Sequence, residues 1–89
     1  MKSKVSKNCF PKYTQQGSPK LFQKLGQLGL NEIAKHDRVA VEIVKKQASC
    51  DQVVHVAFSE LKSNYPETIT SFVRCKNNKT FYVTNGLLS

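Results

Sequence analysis

The stretch Val41–Leu61, VEIVKKQASCDQVVHVAFSEL, decides how the rest of the chain is read. Its opening is ambiguous. Val39, Val41, Ile43 and Val44 have the β-branched density of a strand, while Ala40, Ile43, Val44 and Gln47 fall on one helical face. Ser49-Cys50-Asp51-Gln52 then has the S-x-x-Q form of a capping box, which predicts a helix over 50–64. On a helical wheel Val54, Ala57, Phe58, Leu61 and Tyr65 gather on one side, and Pro66 ends the run.

Upstream, Ser18-Pro19 reads as an N-cap followed by proline at the first helical position, where a missing N–H costs nothing. Leu21, Phe22, Leu25 and Leu28 follow at helical spacing, Gly29 reads as a stop, and Leu30–His36 as a further turn or two with Ile33 and Ala34 inward. Residues 1–17 look like a flexible basic arm, with a short strand around Val5–Phe10 weakly signalled. Downstream the spacing changes to period two: Ile69, Ser71, Val73 and Cys75 alternate with Thr70, Phe72 and Arg74. Asn77-Asn78 supplies a turn tolerant of positive φ, and Thr80–Thr84 a second strand with Phe81 and Val83 on one face and Tyr82 on the other.

Helix, turn, helix and a hairpin with cations at its tip resemble the winged helix-turn-helix domain of MarR-type and related regulators. The resemblance is carried by Glu42, Ile43 and Val44 opening the motif, Ala48 as the small turn residue, Val54, Phe58 and Leu61 inward, and VRCKNNKTFYVT (Val73–Thr84) as the wing. It implies an α+β domain over 18–89, with three to four helices followed by a C-terminal β-hairpin wing. It also implies a small regulator binding double-stranded DNA, with helix 50–64 in the major groove. Gln52, His55, Val56 and Ser59 would then face the bases, with Lys62 as that helix's first cation. Gln suits adenine and an apolar Val suits a thymine methyl. Arg74, Lys76, Asn77, Asn78 and Lys79 of the wing, and Lys2, Lys4 and Lys7 of the arm, would hold the backbone. A homodimer would have to use the arm or the first helix. A rival register, Leu30–Lys46, also resembles a repressor-type helix-turn-helix, with no wing directly after it.

The charge layout suits a polyanion. Met1–Leu30 holds six Lys and no acid, Asn31–Glu67 five basic against six acidic residues, and Thr68–Ser89 three basic and no acid, for a net +8. No apolar run is long enough for a membrane span. Cys9, Cys50 and Cys75, odd in number and without a C-x-x-C pair, read as unpaired thiols. With no apolar segment behind Lys2 and Lys4 to mark a signal peptide, they suggest a reducing cytoplasm. None of the Cys or His residues sits at metal-ligand spacing and no cofactor motif occurs. The six acids form no acid–base motif, which argues against an enzyme.

Two other readings stay open. One is a basic adaptor or inhibitor built on an α/β sheet and meeting an acidic partner. The other is an RNA-binding module using Phe72, Tyr82 and the basic hairpin, since exposed aromatics stack on bases.

Overall fold

In the computed structural model, residues 4–6 and 9–88 are described. The chain forms one helix, α1 (Pro19–Val44), then strands β1 (Val53–Phe58), β2 (Thr70–Cys75), β3 (Thr80–Thr84) and β4 (Leu87–Leu88). The strands make an antiparallel meander in the order β1-β2-β3-β4, and α1 packs on one face of it. This overturns the winged-helix expectation. There is one helix rather than three to four, and the 50–64 segment meant to enter a major groove holds strand β1.

The helix forms because its apolar positions make a continuous stripe. Leu30, Ile33, Ala40, Val41 and Val44 are all buried at steps of three, four or seven. Burial of that stripe outweighs the strand preference of Val39, Val41 and Ile43. Pro19 stands in the first turn as expected, but the Ser18 side chain makes no capping bond. The expected break at Gly29 occurs at Gly26 instead, which adopts φ 70° and kinks the helix. Gly29 is buried for another reason: a Cβ there would lie 2.5 Å from the Leu25 Cβ and 3.2 Å from the Tyr65 hydroxyl. Helical geometry runs through residues 39–44, so that ambiguous segment is helix.

A β-bulge hides strand β1 in the sequence. The register slips between Val53 and His55, so Val53 and Val56 are both buried although they stand three positions apart. That spacing imitates a helical period, while the residues themselves, VVHVAF, are strand formers. The box at 49–52 caps no helix. Asp51 Oδ1 instead accepts from the Gln52 N–H at 2.8 Å and the Asn77 N–H at 3.0 Å, tying β1 to the β2–β3 turn.

Strands β2 and β3 form the expected hairpin, although Thr70 is buried along with Ser71. Ser71, Val73, Cys75 and Val83 are buried, and Asn78 takes φ 70° in the turn. It is no free wing, however, because β1 and β4 flank it. Nor are the three cysteines all unpaired. Cys50 and Cys75 form a disulfide across 25 residues, which removes the basis for placing the chain in a reducing compartment, and Cys9 is a buried free thiol. The described part of segment 4–17 lies against the outer edge of β1. There the Val53, Val56 and Phe58 N–H groups donate to the Lys4 carbonyl, the Cys9 carbonyl and the Tyr13 hydroxyl. The edge is thereby closed to pairing with another chain.

Candidate functional site

The fold sorts the surface into two ends and one open sheet face. At one end lie the β1–β2 loop (59–69) and the β3–β4 turn (85–86). The loop is held in one shape by its own polar side chains. Thr70 N–H donates to Ser63 Oγ at 2.8 Å, Ser63 Oγ donates to the Thr70 carbonyl at 3.2 Å, and Thr70 Oγ1 donates to the Lys62 carbonyl at 3.1 Å. Asn64 and Thr68 exchange backbone bonds around the cis Tyr65-Pro66 peptide. Asn85, at φ 49°, braces this loop from the neighbouring turn: its Oδ1 accepts from Ile69 N–H at 2.9 Å and its N–H donates to the Ile69 carbonyl. Loop and turn are thus one bonded platform. On it Leu61 is 100% exposed and Leu87 72% exposed. The helical reading places Leu61 inward; β1 ends at Phe58, and Leu61 stands in the turn after it, open to solvent.

Beneath the platform is a buried polar network that the sequence did not announce. Asp37 falls on the core-facing stripe of α1 and is 1% exposed. Ser71 Oγ–H donates to its Oδ1 at 2.6 Å and the Tyr13 hydroxyl donates to its Oδ2. The Gly86 N–H donates to His36 Nε2 at 3.0 Å, which leaves the His36 proton on Nδ1, facing Ser71 Oγ at 2.8 Å. Burial pushes the Asp37 carboxyl above the usual carboxylate range, against the hydrogen bonds from Ser71 and Tyr13. Burial, with the Asp37 charge beside it, raises the Tyr13 hydroxyl, and burial lowers His36. The trio resembles a hydrolytic triad in residue types only. Here serine stands between histidine and aspartate and gives its proton to the carboxylate, whereas a nucleophilic serine needs histidine beside it as base. The network ties segment 4–17, α1, β2 and the β3–β4 turn together.

The opposite end is basic. Lys76 N–H donates to the Gln52 carbonyl and Val53 N–H to the Lys4 carbonyl, so hairpin turn and N-terminal segment flank the same two residues. Lys4 Nζ reaches the Gln47 carbonyl at 3.4 Å, and Asn77 donates from its side chain to the Ser49 carbonyl at 2.8 Å. Lys4, Gln52, Lys76, Asn77 and Lys79, expected on an arm, a recognition helix and a wing, thus lie at one end of the sheet, with Arg74 and Asn78 next to them in the chain. Lys2 and Lys7 lie outside the described residues. The remaining predicted contacts scatter. Val56 is fully buried and reaches no base. Ser59 opens the loop at the far end, and Lys62 lies over the Tyr82 ring, 4.6 Å from its centroid. His55 is exposed on the open sheet face beside Phe72, 5.7 Å between ring centroids.

Among the described residues no group of three or more His, Cys, Asp or Glu side chains is arranged to hold a metal ion, and no helix is long and apolar enough to cross a membrane. Comparison with protein-family models, with curated proteins and with solved structures finds no match.

Proposed function

We propose that the chain is a protein-binding module of the adaptor or inhibitor class, docking through the end built from loop 59–69 and residues 85–88. The observation that carries this reading is Leu61, wholly exposed in the turn 60–62 of a loop pinned by hydrogen bonds at Ser59, Lys62 and Ser63. A flexible loop would lose ordering entropy on binding, whereas one already bonded into shape avoids most of that cost. Seating a leucine in an apolar hollow of a partner contributes about 1.5–3 kcal/mol, or more than tenfold in affinity. The basic opposite end supplies long-range attraction to an acidic partner, which raises the rate of encounter more than the strength of the final contact.

Affinity capture with the wild-type chain and the Leu61→Asp variant, each followed by activity assays of the captured proteins, tests this. A specific partner held by the wild type should be lost from the variant, and a captured enzyme inhibited by the wild type marks the inhibitor case. Equal capture by both chains would overturn the docking end.

A further inference from the structure

We propose that the open face of the sheet is a second binding site, for single-stranded nucleic acid. The helix covers one face only. On the other, register places His55 opposite Arg74, and Ala57, Phe72 and Tyr82 side by side across β1, β2 and β3. His55, Phe72 and Tyr82 thus form a row of rings across three strands. Arg74 lies on one side of the row and Lys62 on the other, and the basic turn 76–79 continues from Arg74. None of the three strands contains an acidic residue.

Planar rings and cations on strands that carry no acid complement a polyanion with flat, unstacked bases, because each base offers a face to a ring and each phosphate a charge to a cation. A duplex hides its bases, and a sulfated polysaccharide has none. The Lys62 ammonium now over Tyr82 does not block the site. An exposed cation–ring contact is weak, of the order of 0.5–1 kcal/mol. A base stacked on the ring contributes about 1–3 kcal/mol and frees Lys62 for a phosphate.

The probe is a short labelled oligodeoxythymidylate, titrated by fluorescence anisotropy alongside duplex DNA of the same length and heparin. The single strand should bind most tightly. Phe72→Leu with Tyr82→Leu keeps apolar bulk on the sheet, removes the rings, and should weaken single-strand binding at least tenfold while heparin binding stays within twofold. Lys62→Met, an exposed position outside the strands, should lower the slope of log K against log salt by about 0.7, one phosphate for a single strand. Lys76→Ala with Lys79→Ala should weaken all three ligands alike. Equal affinity for duplex or heparin, no loss on removing the rings, or an unchanged salt slope in Lys62→Met would each overturn the site. None of these readouts depends on Leu61, so failure here leaves the protein-docking end standing, and the reverse.

Discussion

The two ends of the sheet are held differently: at one a disulfide reinforces the hydrogen bonds of Asp51 and Asn77, and at the other hydrogen bonds act without a covalent tie. Cys50–Cys75 fixes the basic end, where the chain leaves α1, starts β1 and turns from β2 to β3. The loop 59–69 and turn 85–86 have no such tie and depend on Ser59, Ser63, Thr70, Thr84 and Asn85. Lys4, Lys76 and Lys79 lie at that end, where a covalent tie can hold against repulsion among them. A hydrogen-bonded end must specify each side chain, and in return its loop has a defined shape that presents Leu61. Breaking each tie separately checks this division.

The largest effect should come from the disulfide. Replacing Cys50 and Cys75 by Ala should cost on the order of 3 kcal/mol, mainly through the freed unfolded chain. The midpoint of a denaturant titration reports it. Because the like charges at that end then lose their restraint, added salt should restore more stability to the double variant than it adds to the wild type. Equal salt responses would mean that the cations do not strain this end.

Asn85 is the corresponding point at the other end. Asn85→Gly keeps the positive φ and removes only the side-chain bonds to the loop, so it should cost about 1 kcal/mol. Asn85→Ala adds the penalty of a left-handed backbone, roughly a further 1 kcal/mol. Hydrogen exchange should locate the change: the Ile69 amide loses protection while those of β1 near Cys50 do not. If both ends loosened together, the sheet would be one cooperative unit and the contrast between its ends would fail.

The same contrast marks how far the sequence can be read. Around β2 and β3 the alternation of Ser71, Val73 and Cys75 is local and unbroken, and Asn78 declares its own turn, so the hairpin was legible. The start of α1 at Pro19 was legible too, but residues 39–44 were not, because their β-branched density supports a strand as well as a helix and only packing on the sheet decides between them. Strand β1 was not, because the bulge after Val53 replaces period two by a step of three, and a serine and glutamine stand three apart by accident of a turn. One wrong assignment then misplaced the sites: it sent Leu61 inward and Val56 outward. The Cys50–Cys75 pairing and the Asp37 network were beyond local reading altogether. Each joins residues at least 24 apart: pairing of β1 with β2 brings the two cysteines together, and packing of α1 and the segment around Tyr13 on the sheet assembles the Asp37 network.

The smallest predicted effect uses pH to act on the hydrogen-bonded end alone, since a disulfide does not titrate. His36 is the tie from α1 to that end, its Nε2 accepting from the Gly86 N–H. Burial favours the neutral ring, so its folded pKa lies below the ordinary 6.5. The unfolded chain therefore takes up the proton first, and the contribution of His36, complete above pH 6.5, is lost as pH falls from there toward the folded pKa. Protonation also turns Nε2 into a donor facing a donor, which releases Gly86. Asp37 works the other way: burial raises its folded pKa above the ordinary carboxylate range, so its ionised form costs stability that returns as pH falls through that raised value. Between pH 7 and the folded His36 pKa, stability should decline with acid by less than about 1.4 kcal/mol per pH unit, the limit for one proton. His36→Gln should flatten that decline. Amides around Gly86 should lose exchange protection on acidification before those beside Cys75, and simultaneous loss at both would show that His36 braces the whole sheet rather than the end that presents Leu61.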